Sequence, residues 1–250
     1  MTPAKLVRIA TAVCGGVAIA WGAWTLPIFW RSAPLAQTAA SVIRHIPYQS
    51  EKLQALLPAI DAFEQEAGCE PHALHDAAVI KLRLMEDAYR PEQVTKLSGR
   101  LDAVDKAIQR SLGCSPADPF LWLVLYSVKS AKGGFRSEYL SYISMSYRLG
   151  PREGWIAVQR DRLVLAIFPL LPPDLAELAV KEFATLVANR LYDPSADILL
   201  GSGWNIRDRL LAQLADVPQR ERAEFAQLLR VRGSDLAVPG VVTGTRPWQQ

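Results

Sequence analysis

A chain of 250 residues that is 50% hydrophobic and 21% charged has ample apolar content for a packed core, which excludes a mostly disordered polypeptide. Its 15 glycines, 17 prolines and 3 cysteines likewise exclude collagen-like, low-complexity and cysteine-framework classes. The formal charge of +3 is set by the first residues, where Lys5, Arg8 and Arg31 stand without an acid, and the charge-balanced remainder speaks against a nucleic-acid binder.

From Ile9 to Trp30 no residue is charged. As a helix this stretch spans roughly 33 Å, enough to cross a bilayer core. Trp21, Trp24, Phe29 and Trp30 crowd its far end, where amphipathic rings favour the interface. A cleaved signal peptide is the rival reading. Bulky residues, Pro27 and Arg31 stand where small residues should precede a cut, and Thr38-Ala39-Ala40 lies well beyond the apolar run. The anchor reading is preferred. Basic residues before and after the segment place the N-terminus in the cytoplasm and the body outside. In a Gram-negative cell this is a single-pass protein of the bacterial inner membrane with its body in the periplasm. Ala12, Gly16 and Ala20 form a small-xxx-small stripe along which two such helices can approach as a homodimer; the bland alternative is a helix that merely contains many small residues.

Beyond Arg31 the apolar residues recur with a helical period. Leu53, Leu56, Ile60 and Phe63 make one face in residues 49–67, Ala78, Leu82 and Met85 another in residues 72–90, and Leu101, Val104, Ile108 and Leu112 a third in residues 92–113. Punctuation repeats as well. Cys69-Glu70-Pro71, Cys114-Ser115-Pro116, Leu149-Gly150-Pro151 and Tyr192-Asp193-Pro194 open successive segments roughly 35 to 45 residues long. Each segment is split by a second break, at Tyr89-Arg90-Pro91, Lys132-Gly133-Gly134 and Leu171-Pro172-Pro173. The unit is helix, turn, helix, with proline in the first turn of the next pair. Two further helices are predicted over residues 204–215 and 219–231, joined at Val217-Pro218. From Gly233 the pattern ends in an extended tail, with Trp248 placed to dock back on the body.

One interval is more specific. Trp122 and Trp155 each follow a proline closely, and Tyr126, Gly134, Tyr139, Tyr147 and Leu149-Gly150-Pro151 lie between them. This resembles the tetratricopeptide repeat, well over residues 116–155 and loosely over residues 70–192. Other units are too long for the standard repeat. The expected fold is therefore all-α: a transmembrane helix followed by an irregular tetratricopeptide-like array of helical hairpins. The expected divisions are a tail and span over 1–31, a connecting helical segment over 32–68, the array over 69–193, C-terminal helices over 194–232 and the tail over 233–250. Trp122 and Trp155 are expected to be buried between paired helices.

Chemistry-bearing motifs are sparse. There is no G-x-S-x-G, P-loop, G-x-G-x-x-G or H-E-x-x-H. His72 and His75 with Asp76 and Glu70 have zinc-ligand chemistry but lack a further ligand at a distant spacing, and His45 is isolated, so a polar first helical turn is preferred to a metal site. Carboxylate pairs such as Glu64–Glu66 and Glu86–Asp87 read as solvated. Cys14 falls in the membrane segment, whereas Cys69 and Cys114 occupy corresponding places in adjacent units. In an oxidising compartment such a pair suggests a disulfide. Against it, equivalent sites on stacked helices tend to lie about 8–10 Å apart, beyond the reach of a bridge, unless irregular unit length closes the gap.

Arg152, Glu153, Arg160, Asp161 and Arg162 cluster around Trp155. Arg152, Trp155 and Arg160 are the candidate partner surface; in the alternative reading Glu153 and Asp161 neutralise neighbouring arginines within an inter-helix network. Stacked helix pairs build a concave surface that binds protein segments, so the resemblance implies scaffolding rather than catalysis and no cofactor. The whole layout is similar to anchored helical-repeat proteins of bacterial cell-envelope and exported-polysaccharide assembly. Two alternatives stand beside this non-enzymatic reading: an envelope enzyme acting on glycan with unidentified catalytic residues, and a secreted periplasmic binding module. A lytic transglycosylase is disfavoured, because too few residues follow the array to supply a lysozyme-like domain.

Overall fold

The computed structural model describes residues 3–44, 46, 48–65, 68–87 and 97–242, with the Ile28 side chain excepted, and contains twelve α-helices among them. The break expected at Tyr89-Arg90-Pro91, His45, Glu66 and the docking of Trp248 lie outside the described residues. Two compact units make up the chain, Met1–Pro116 and Ala117–Gln250. That division falls inside the segment expected as one array.

In the first unit, α1 runs from Pro3 to Ile43. Its stretch Pro3–Pro27 is long and apolar enough to cross a membrane, with none of it buried in the protein. The helix does not stop at the end of the apolar run. It continues through Arg31, and Leu35, Thr38 and Ala39 turn one face into the core, as the i, i+3, i+4 spacing requires. That face packs on α4 (Pro71–Asp87), which also packs against α5 (Leu97–Cys114) and the short α2 (Ser50–Gln54). Pro71 opens α4, and the Glu70 carboxylate caps it by accepting from the Ala73 amide at 2.5 Å.

Two of the carboxylates read as solvated are structural instead. Glu64 on α3 (Leu57–Gln65) meets the Nζ of Lys81 at 2.8 Å, and Lys81 is buried on α4. Asp87, also buried, accepts from the Ser50 hydroxyl at 2.6 Å and so ties α2 to the end of α4.

Cys69 and Cys114 are joined by a disulfide, with Cα atoms 5.5 Å apart. The bridge links Cys69, two residues before α4, to the last residue of α5. The expected separation of about 8–10 Å belongs to side-by-side helix axes; here the bridge joins helix ends, where the chains converge.

The second unit begins with α6 (Pro119–Gly133), opened by Pro119 and capped by Asp118, whose carboxylate accepts from the Leu121 amide at 2.9 Å. Gly134 ends it at φ 74°, a left-handed conformation that glycine adopts without a Cβ penalty. The hairpins α6–α7 (Leu140–Leu149) and α8 (Gly154–Ala166)–α9 (Pro173–Ala188) are packed pairs. Gly150 lets the α7–α8 turn approach Pro119; a Cβ there would come within 2.7 Å of that ring. Then follow α10 (Tyr192–Leu200), α11 (Arg207–Gln213) and α12 (Gln219–Val231). Their core centres on Phe183 and Phe225, whose rings meet edge to face at 6.2 Å. After α12 the described chain, to Val242, leaves the helical pattern and is docked: Val238 is buried and the Pro239 carbonyl accepts from Arg222 at 2.6 Å.

The aromatic expectation needs correction. Trp122 is only partly buried and stacks on Tyr142 at 5.8 Å. Trp155 is 47% exposed, with one ring face against Phe120 at 5.0 Å. Both lie at positions flanking the buried stripe of their helices. The interior is instead filled by Leu123, Ile143, Ile156 and Val164.

Candidate functional site

The second unit carries a groove of about 820 Å³ between α7, the α7–α8 turn, the start of α8 and one face of α9. Arg148 and Arg152 line it from α7 and the turn, and Lys181, Thr185 and the exposed Leu178 from α9.

Beneath the groove lies a buried polar cluster. Arg160 on α8 is wholly buried. Its Nε donates to Glu182 Oε2 at 2.9 Å, its Nη2 to the other oxygen of the same carboxylate and to the Gly150 carbonyl at 3.1 Å, and its Nη1 to the Ser146 hydroxyl at 2.9 Å. The guanidinium also lies over the Tyr147 ring, 4.1 Å from its centre. One side chain thus joins α7, the α7–α8 turn, α8 and α9. The planar fork of arginine matches a carboxylate in two places at once, which a lysine ammonium cannot do.

Asp161, next in sequence and also wholly buried, has no hydrogen-bond partner for either oxygen. Burial pushes its pKa well above the usual carboxylate value, and the Glu182 charge pushes it further, against a smaller opposing pull from Arg160. Arg160 behaves in the opposite sense. Burial works against its charge, but the hydrogen bond and charge of Glu182 outweigh this and raise its pKa. The cluster therefore sets an ion pair beside a carboxyl whose charged form is disfavoured by burial and by the Glu182 charge. Burial first, then the Glu182 and Asp161 charges, push the Tyr147 hydroxyl well above its ordinary value.

A pH test follows. Burial and the Glu182 charge make the folded protein hold the Asp161 proton to higher pH than the unfolded chain, whose ordinary pKa is about 3.9. Stability from this group is complete below that value and is lost as pH rises toward the folded pKa, with a slope of up to about 1.4 kcal/mol per pH unit. Asp161→Asn should therefore flatten the fall in urea-unfolding stability as pH rises from about 4. Parallel profiles for parent and variant would show that Asp161 is ionised in the fold.

The sequence grouping is thus partly separated by the structure. Arg152 and Trp155 are exposed, while Arg160 is buried and unavailable to a partner's surface. Glu153 accepts from the Trp155 indole at 3.3 Å, and Arg162 pairs with Asp197 at 3.7 Å. An inter-helix network exists around Arg160, but Glu182 supplies its charge, not Glu153 or Asp161. Glu182 was not singled out by sequence reasoning. The available signal is a charged residue inside the apolar stripe of α9, flanked by the buried Ala179, Phe183 and Leu186.

In the first unit, no group of three His, Cys, Asp or Glu side chains among the described residues is arranged to hold a metal. Glu70 is engaged as the cap of α4, and burial raises the Asp76 carboxyl despite opposing pulls from His75 and His72. Compared with protein-family models, curated proteins and solved structures, the chain matches none.

Proposed function

We propose that the chain is a membrane-anchored, non-catalytic scaffold or assembly factor whose irregular tetratricopeptide-like body binds a protein partner at the cell envelope, with polysaccharide assembly or export as the setting. The observation that carries this reading is the continuity of α1. An apolar helix of spanning length passes without interruption into a face that packs on α4. An apolar N-terminal helix, as anchor or signal, together with a disulfide points to a body outside the cytoplasm. The same continuity favours the anchor over the secreted module. Cleavage at Thr38-Ala39-Ala40 would remove Leu35 and Thr38 from the core, leaving the α4 face uncovered. Burial of the body on the periplasmic side of a bacterial inner membrane agrees with both features. Packed helix pairs and the groove beside them support the binding role.

The enzyme reading draws on one observation, the raised Asp161 carboxyl beside Glu182, since perturbed carboxyls gather at catalytic sites. Asp161 is sealed from solvent, and Arg160 engages both oxygens of Glu182, which favours a structural role for the pair.

The anchor is tested by fractionation. Full-length protein should stay with the membrane pellet after carbonate extraction and retain its N-terminal segment on sequencing. A soluble mature protein beginning near Ala40 would overturn the anchor and restore the secreted module.

A further inference from the structure

We infer that the groove of the second unit receives an acidic, leucine-bearing peptide segment of the partner, a deeper reading that rests on the scaffold proposal. Three features of the groove carry it. The first is charge. Neither Arg148 nor Arg152 forms an ion pair among the described residues, and Arg148 donates to the uncharged Met145 sulfur at 2.7 Å. Lys181 adds a third cation, shared with Glu177 at 2.6 Å. Against these stand two lining carboxylates, Asp174 and Glu182, and the second is neutralised from below by Arg160. A guanidinium free to make two parallel hydrogen bonds is the protein's best recognition group for a carboxylate.

The second feature is the apolar wall. Leu178 is 43% exposed in the groove, and the half-buried Leu191 and the exposed Pro151 also line it. These aliphatic surfaces take leucine-like side chains. Glycan recognition fits less well, because the one aromatic ring in the lining, Tyr147, is buried and covered by Arg160. The third feature is the hydroxyl and amide rim. Ser144, Thr185 and Asn189 are exposed along the two sides; their donors are engaged by carbonyls of their own helices, and their side-chain oxygens can accept from peptide N–H groups. A volume of about 820 Å³ lies within the roughly 300–1,000 Å³ of ordinary ligand sites, so a few residues at a time are held. Asp174, Leu178, Lys181 and Thr185 follow one stripe of α9, which sets acid, apolar, basic and hydroxyl contacts in a row.

The test uses the full chain in nanodiscs of zwitterionic lipid, with empty nanodiscs as baseline. The probe is a fluorescein-labelled nine-residue peptide of alternating Glu and Leu, read by anisotropy. It should bind, and binding should weaken as salt rises. Arg148→Glu and Arg152→Glu should each weaken it about tenfold or more, and Leu178→Ser about fivefold. Arg136→Glu, an exposed change outside the groove, should leave it unchanged. Each variant should keep the parental unfolding temperature, since these side chains are exposed. The inference is overturned if the peptide does not bind, if a Lys–Leu peptide binds equally, if Arg136→Glu weakens binding as much as Arg152→Glu, or if an acidic oligogalacturonate binds where the peptide does not. Cross-linking of the full-length protein in cells separates this inference from the scaffold reading. A partner whose capture is unchanged by Arg152→Glu sinks the groove and leaves the scaffold standing. Peptide binding at the groove with no partner captured sinks the scaffold and leaves the groove.

Discussion

Arg160→Ala should lower the stability of the second unit by about 3–5 kcal/mol. The cause is what the substitution leaves behind. Glu182 is buried with both oxygens engaged by the guanidinium, and Asp161 lies close enough to feel its charge. Without Arg160, Glu182 must either hold an unpaired charge in the interior or take up a proton, and both cost free energy. The Ser146 hydroxyl and the Gly150 carbonyl lose their partner at the same time. Arg160→Lys should rescue little, because an ammonium cannot bridge α7, the following turn and α9 together. The double change Arg160→Met with Glu182→Leu should recover part of the loss, since the ion pair is removed whole, although the Ser146 hydroxyl and the Gly150 carbonyl still lack their partner. Urea unfolding of the four proteins checks this. A loss below about 1 kcal/mol for Arg160→Ala would mean that the network does not hold the three helices together.

The disulfide is the second large term. It closes a loop of 45 residues, for which chain entropy gives about 4 kcal/mol through restriction of the unfolded state. Cys69→Ser should lower stability by about that amount, and it should abolish the mobility shift that reduction produces on a gel. Protein taken from the oxidising compartment with two titratable thiols at Cys69 and Cys114 would refute the bridge. The link joins the start of α4 to the end of α5, and α4 is the helix on which the inner end of α1 packs. Reduction should therefore loosen the seat of the anchor as well as the hairpin, visible as faster hydrogen exchange in α4.

Much of the helical layout was legible because its signals are local. Pro71, Pro173 and Pro194 stand in first turns, whereas Pro116 and Pro151 precede their helices by a few residues; Gly134 and Gly201 stand at helix ends, and the apolar stripe of each segment repeats every third or fourth residue. The site was less legible because its signals are not local. Arg160 was picked out as a surface residue for its neighbours in sequence, yet its carboxylate partner comes from the next helix of the hairpin. Trp155 was placed inside because aromatic residues lead repeat units of the family it resembles. The α8 stripe is filled by Ile156, Val164 and Leu165 instead, so the indole is left at the edge.

The sequence by itself determined the all-α class, the apolar N-terminal helix, the positions of most helix ends and the neutrality of the body, since each depends on composition or on contacts within a few turns. Only the tertiary structure decided that α1 runs on as a core element to Ile43, that Cys69 and Cys114 are near enough to bond, and that Arg160 is buried against Glu182. Each of these depends on which helix faces which, set by side-chain packing between segments far apart in the chain. A buried charge and an exposed one can share the same spacing along a helix; the neighbour that covers it makes the difference.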